Sequence, residues 1–129
     1  MSNPPVNALS ERLLDELETA LVHIERRDDI GAIVLAGKGN KSFIAGADVR
    51  QLLEDVHSHA EAHSLPSKAH SVANFIENMT KPVIAAVEGV ALGGGCEMAM
   101  ACHFRVGNKN TVLAQPEINL YLPPGYGGT

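Results

Sequence analysis

The chain has 129 residues and a formal net charge of −5, with 45% hydrophobic and only 4% aromatic residues. This length allows one domain, whose core must be built mainly from Ala, Val, Leu, Ile and Met. The negative charge argues against binding to nucleic acid or to an anionic membrane. No apolar run reaches transmembrane length, and the first residues lack the pattern of a signal peptide. Cys96 and Cys102 lie about 240° apart on one predicted helix and are expected to be free thiols. These features predict a cytoplasmic location.

Alternating short strands and helices along the chain predict an α/β fold. Ser10 is placed to cap an amphipathic helix that ends near Arg26. Further helices are expected to begin near Val49 and to span residues 67–79 and 96–102, and residues 57–68 are expected to form a loop or a frayed helix. Strands are expected at residues 30–36, 43–44, 83–87, 104–106 and 112–114. His57, His59, His63 and His70 are interpreted as surface residues, because no recognisable ligand set accompanies them. No metal site is predicted.

Three consecutive glycines, Gly93–Gly95, precede the small apolar helix. The N–H groups at a helix start lack intrahelical acceptors, and the helix dipole makes that point electropositive. Without a Cβ at these positions, a ligand oxygen can approach the backbone closely. Glu97 lies one turn into the helix and is almost its only polar side chain. The alternative is a tight turn followed by a core helix with one solvated Glu.

A second junction of small residues, Ala45-Gly46-Ala47, also leads from an apolar element towards a helix start, with Asp48 placed to cap that helix. The two junctions together suggest two backbone N–H groups that could converge on one ligand atom.

Six segments of the chain resemble the enoyl-CoA hydratase/isomerase (crotonase) family, in its order and at its spacing. They are residues 7–10, 41–48, 81–89, 91–97, 115–117 and 124–129. The resemblance implies an α/β, crotonase-like (ClpP/crotonase) fold, a repeated β-β-α superhelix. It also implies that residues 1–129 are the N-terminal portion of a single domain, without its first strand and C-terminal helices, and that the complete protein is a homotrimer or a dimer of trimers.

The resemblance further assigns roles to residues of this chain. The N–H groups of Ala47 and Gly94 would form the oxyanion hole that binds an acyl-CoA carbonyl oxygen. Glu97 and Glu117 would be the catalytic acid and base, because adding water to a double bond needs both. Lys41 and Arg50 would lie near the CoA phosphates. The acyl-CoA site would be lined by Ala45, Asp48, Val49, Pro116 and Gly125. Coenzyme A belongs to the substrate, so no separate cofactor is expected.

The implied activity is hydration of a 2-enoyl-CoA thioester. An enoyl-CoA isomerase, a ring hydrolase acting on a CoA thioester, and an inactive fragment that serves only as a binding or oligomerisation module are the alternatives. Either glutamate could instead cap a helix or pair with Arg105. Two departures from the family pattern stand out: His103 replaces a usual Asp, where an altered structural contact is expected, and residues 121–124 are bulky, which favours a reshaped acyl pocket.

Overall fold

The computed structural model describes residues 1–48 and 64–128. Its elements in chain order are α1 Glu11–Glu25, β1 Ile33–Ala36, β2 Ser42–Ile44, α2 Ser64–Glu77, β3 Val83–Val87, β4 Val90–Leu92, α3 Gly94–Ala101, β5 Phe104–Gly107, β6 Val112–Ala114 and a 3₁₀ helix at Pro116–Leu120. The helix predicted near Val49 and three of the histidines, His57, His59 and His63, lie outside the described residues. Within the described ranges, no helix is long and apolar enough to cross a membrane.

The six strands of the described ranges form two parallel sheets, ordered β1-β3-β5 and β2-β4-β6. Successive strands therefore enter alternate sheets, which is the arrangement expected of a β-β-α superhelix. The central strand β3 pairs with β1 at Ile33–Val83 and with β5 at Ile84–Phe104. This confirms the predicted α/β class. Strand β4 was not predicted, because it has only three residues between Gly89 and Gly93, whose positive φ values of 72° and 50° end it on both sides.

Helix α1 forms as its sequence predicts. The Ser10 side chain accepts a hydrogen bond of 3.2 Å from the Leu13 N–H, which satisfies one of the free donors at the helix start. The leucines at positions 13, 14, 17 and 21 are buried in the core, where α1 packs against α2. Full burial of one such side chain contributes about 1.5–3 kcal/mol.

Helix α2 begins at Ser64, three residues before the start predicted at residue 67, so residues 64–66 are helical where a loop or frayed helix was expected. Pro66 falls in the first turn, where its missing N–H costs no intrahelical hydrogen bond. The Lys68 ammonium pairs with Asp15 and thereby ties α2 to α1. Ala69, Val72, Ala73 and Ile76 are buried, as the helical spacing predicts.

The far end of α3 is held by Arg105, whose Nη1 donates to the carbonyls of Ala99, Met100 and Cys102 at 3.2, 3.1 and 2.8 Å. A cation at a helix C-terminus also suits the helix dipole. The guanidinium is therefore engaged away from the two glutamates, and the alternative that it pairs with either is wrong. Cys96 and Cys102 are free thiols, as expected.

His103 makes a structural contact, as expected from its departure from the family pattern. Its Nδ1 accepts a 3.1 Å hydrogen bond from the N–H of Val83, the first residue of β3.

Candidate active site

Each glycine of the Gly93–Gly95 junction makes room for a different neighbour. A Cβ on Gly93 would lie 2.4 Å from Oε1 of Glu117, and one on Gly94 would lie 2.4 Å from the ring of Tyr126. A Cβ on Gly95 would lie 2.1 Å from the carbonyl oxygen of Ile44. Real Cβ atoms do not approach other atoms this closely, so close packing explains why all three positions lack a side chain.

The backbone at this junction carries free donors. The first intrahelical hydrogen bond of α3 runs from the Glu97 N–H to the Gly93 carbonyl, at 3.0 Å. The N–H groups of the three preceding residues, Gly94 to Cys96, therefore have no acceptor within the helix. They stand at the positive end of the helix dipole.

Ala47 is held by the segment before α1. Leu9 donates its N–H to the Gly46 carbonyl and accepts from the Asp48 N–H, both at 2.8 Å, which forms a parallel bridge to Ala47. In this arrangement the N–H and C=O of Ala47 turn away from Leu9. The buried Asn7 side chain fixes the segment by donating to the Ser42 carbonyl at 2.9 Å. The contacts by which Asn7 and Leu9 hold Ala47 were not predicted from the sequence.

The structure brings the two small-residue junctions together. Strands β2 and β4, which lead into them, pair in parallel. A Cβ on Gly46 would lie 3.5 Å from the Leu92 carbonyl, and Cδ1 of Leu9 lies 3.1 Å from where a Cβ on Gly94 would stand. Leu9 therefore adjoins Ala47 through its backbone and Gly94 through its side chain.

Glu97 is a buried carboxylate, with 3% of its surface exposed, so the solvated-Glu alternative is wrong. Its Oε1 accepts hydrogen bonds from the N–H groups of Tyr126 at 2.7 Å and Gly128 at 2.8 Å. These two hydrogen bonds fix the side chain. Both bonds reach the same oxygen, so Oε2 carries no hydrogen bond to the described residues.

Glu117 lies in the first turn of the 3₁₀ helix and is half-buried. Its carboxylate lies against Gly93. The Gln115 amide, in the orientation that satisfies both groups, donates to both oxygens of Glu117 at 3.2 Å. Pro116 occupies the start of this short helix, where it needs no N–H acceptor.

Two other side chains show that the glutamates border a common space. Burial, reinforced by the charges of Glu97 and Glu117, raises the pKa of Tyr126 to about 12. Burial and the same two charges also raise the pKa of the Cys96 thiol. A hydrogen bond from the Ala114 backbone partly offsets this increase. The geometry agrees, because a Cβ on Gly128 would lie 2.9 Å from Oε1 of Glu97 and 2.5 Å from the side-chain amide of Gln115, which holds Glu117.

The remaining predicted site residues lie around this centre. Ala45 lies two residues before Ala47 and Asp48 directly after it, and both are half-buried. Gly125 is exposed beside Tyr126. Lys41 has an exposed side chain, while its carbonyl accepts from the Val90 N–H at 3.2 Å. Val49 and Arg50 lie outside the described residues. Residues 1–48 and 64–128 hold no group of three His, Cys, Asp or Glu side chains arranged to bind a metal ion.

Comparison with known proteins identifies the family. The family model described as enoyl-CoA hydratase/isomerase matches residues 1–129. The chain belongs to this family. It is 41% identical over 124 residues to the short-chain-enoyl-CoA hydratase of Clostridium acetobutylicum. The matched residues make up 96% of this chain and 47% of that protein. It is 42% identical over 124 residues to the crotonyl-CoA hydratase of Syntrophomonas wolfei, with 96% and 47% covered.

Solved structures of enoyl-CoA hydratases agree with this family assignment. The crystal structure of enoyl-CoA hydratase from Bacillus anthracis superposes with a TM-score of 0.90 at 35% identity, covering 95% of this chain and 47% of that one. The described residues are therefore a partial crotonase-like domain, as the resemblance implied. The chain spans about half the length of the curated relatives it matches.

Proposed function

We propose that this protein hydrates a 2-enoyl-CoA thioester to a 3-hydroxyacyl-CoA. The observation that carries the proposal is the Glu97 carboxylate, buried one turn from Gly94, fixed by two backbone N–H groups and sharing its surroundings with Glu117. Its relatives include proteins named short-chain-enoyl-CoA hydratase and crotonyl-CoA hydratase.

In the proposed mechanism, the thioester carbonyl oxygen accepts hydrogen bonds from the N–H groups of Ala47 and Gly94. Negative charge grows on this oxygen as the enolate forms, and donors that are already in place stabilise it most where water is excluded. The free N–H at the start of α3 and the outward-turned N–H of Ala47 support this role. Losing one such donor typically costs about 100-fold or more in rate.

Glu97 and Glu117 act as the acid and base. One carboxylate accepts a proton from water as the water oxygen bonds to Cβ of the substrate, and the π electrons of the double bond move towards the carbonyl. The other carboxylic acid donates a proton to Cα as the enolate collapses. The net change is the addition of one water molecule, so the protein needs no redox partner or separate cofactor.

The remaining predicted residues would bind the substrate. Lys41 and Arg50 would meet the CoA phosphates, and the acyl-CoA site would be lined by Ala45, Asp48, Val49, Pro116 and Gly125. A place in fatty acid metabolism, a cytoplasmic location and assembly into a homotrimer or a dimer of trimers belong to the same proposal.

The test is to replace each glutamate by its isostere and to follow the loss of the ultraviolet absorbance of the conjugated enoyl thioester. We expect Glu97→Gln and Glu117→Gln each to lower kcat by about 100-fold or more, because each removes one proton-transfer group. Binding of a saturated acyl-CoA is expected to change little. Glu88→Gln is the matched control, because Glu88 is exposed in the turn between β3 and β4. Full hydration by the doubly substituted protein would contradict the proposal.

Product analysis separates the alternatives. A shifted double bond would indicate an isomerase, an opened ring from a cyclic acyl-CoA would indicate a hydrolase, and a 3-hydroxyacyl product supports hydration. A folded, monodisperse sample without turnover would favour a binding or oligomerisation module.

A further inference from the structure

Tyr126 contacts both parts of the proposed site. Its ring atoms Cε2 and Cδ2 lie 2.4 and 2.5 Å from where a Cβ on Gly94 would stand, so the ring rests on the Gly94 backbone. Its own N–H donates to Oε1 of Glu97 at 2.7 Å. One residue therefore adjoins the proposed oxyanion donor through its side chain and the proposed acid or base through its backbone.

The ring is also the anchor of the segment that holds Glu97. Between residues 118 and 128, Tyr126 is the only buried residue. Its neighbours Gly125, Gly127 and Gly128 have no side chains to pack, and Gly127 adopts a positive φ of 106°. Glycines leave the backbone with many accessible conformations. The position of the two N–H groups on Glu97 therefore depends on where the Tyr126 ring is seated.

We propose that Tyr126 is a positioning residue whose ring, seated on Gly94, fixes the 125–128 segment so that the Glu97 carboxylate and the Gly94 N–H keep one mutual geometry. This inference rests on the proposed function. The ring supplies the effect and the hydroxyl does not. The high pKa of Tyr126 agrees, because a phenol that ionises only at about pH 12 stays neutral during turnover.

The first experiment compares kcat and KM of three variants of the full chain on a linear 2-enoyl-CoA. We expect Tyr126→Ala to lower kcat by about 10–100-fold with little change in KM, because a misplacement of about 1 Å can cost 100-fold in rate. Tyr126→Phe is expected to keep kcat within about threefold. Phe104→Ala is the matched control, because Phe104 is an aromatic side chain that is 60% exposed in β5, outside the proposed site. Unchanged kcat in Tyr126→Ala, or an equal loss in Tyr126→Phe, would overturn the proposal.

A double-mutant cycle tests the contact itself. Gly94→Ala keeps the N–H but drives a Cβ into the Tyr126 ring, so we expect a loss of kcat. In the Tyr126→Ala background the ring is gone, and the same Gly94→Ala change is expected to cost at least about fivefold less. Additive losses would contradict the coupling.

A spectroscopic titration of the Tyr126 phenol tests the placement of its ring without measuring enzyme activity. The chain has two tyrosines and no tryptophan, so Tyr121→Phe leaves Tyr126 as the only phenol. We expect its phenolate absorbance to appear only well above the ordinary pKa of 10, and Glu97→Gln to shift it downwards. Ionisation at the ordinary value in the folded protein would overturn the inference. If the titration behaves as expected while no enoyl-CoA is hydrated, the proposed function fails and the placement of Tyr126 stands.

Discussion

Glu97 and Glu117 border one space but stand in regions of very different burial. Glu97 belongs to a covered region that consists of α1, α2, β2, β3 and α3, whereas Glu117 belongs to an open region that consists of β5, β6 and the 3₁₀ helix. Strands β3 and β5 pair in one sheet, yet alternate residues of β3 are buried and every residue of β5 is exposed. In β5, Phe104 is 60% and Val106 62% exposed.

This difference shows that the two carboxylates are held by different means. Glu97 is fixed by a helix with a buried face and by two N–H groups. Glu117 depends on a three-residue strand and a 3₁₀ helix, and in that helix Ile118 is 76% and Leu120 56% exposed. Segments with few buried apolar contacts open at lower free energy than packed ones. We therefore expect the position of Glu97 to be the more robust of the two.

The largest effect on stability is expected from replacing a phenylalanine in the covered region, and the same replacement in the open region tests the difference in burial. Phe43→Ala in β2 removes a fully buried ring and is expected to lower the free energy of unfolding by about 3–5 kcal/mol. Phe104→Ala in β5 is the matched change in the open region and is expected to stay within about 0.5 kcal/mol. Midpoints of urea denaturation measure both. Equal losses would mean that the open region is packed in solution, and that the two regions do not differ in burial.

A smaller effect is expected at the glycines. Gly95→Ala places a Cβ 2.1 Å from the carbonyl oxygen of Ile44, so the backbone must move to make room for it. We expect the free energy of unfolding to fall by about 1–3 kcal/mol. Gly31→Ala is the control, because a Cβ there meets nothing within 4 Å. Alanine lowers the conformational entropy of the unfolded chain, so Gly31→Ala is expected to raise the free energy of unfolding by about 0.4–1 kcal/mol. Thermal midpoints that fall equally for the two variants would contradict the close packing at the start of α3.

The sequence predicted elements in both regions wherever the local signals are strong, including β5 and β6 of the open region. Helix α1 shows an N-cap and a clear apolar period, and β3 is a continuous apolar run, so local signals suffice. The start of α2 was misplaced because Pro66 is compatible with a first helical turn as well as with a loop. Strand β4 was missed because its pairing with β2 and β6 is a tertiary feature that three residues do not reveal.

The site was predictable only in part. The glycine triplet and Glu97 stand out from the residues alone, whereas the roles of Glu117 and Ala47 came from the resemblance. Leu9, Gln115, Tyr126 and Gly128 were missed, because their contacts with the junctions and with the two glutamates form only in the fold. One signal was present: Tyr126 is a single large aromatic side chain among glycines, in a chain with only 4% aromatic residues. Such a residue is typical of a loop anchor.

The smallest expected effect concerns the polar margin of the covered region, where α1 ends. Oε1 of Glu25 accepts from the Thr80 N–H at 3.0 Å and from its hydroxyl at 2.6 Å. These bonds hold the pKa of the Glu25 carboxyl below its ordinary value of 4.5. A carboxyl whose folded pKa is depressed contributes stability above its unfolded pKa and loses it as pH falls through the folded value.

Thr80→Val removes the hydroxyl and keeps the N–H. It should therefore lower the urea midpoint slightly at neutral pH and match the wild type once the carboxyl is protonated in both states. Thr80→Ser retains the hydroxyl and should show no such pH dependence relative to the wild type. A loss in Thr80→Val that persists unchanged in acid would assign the effect to a poor fit of the added methyl group instead of the lost hydrogen bond. The Thr80 hydroxyl would then contribute no stability that depends on the charge of Glu25.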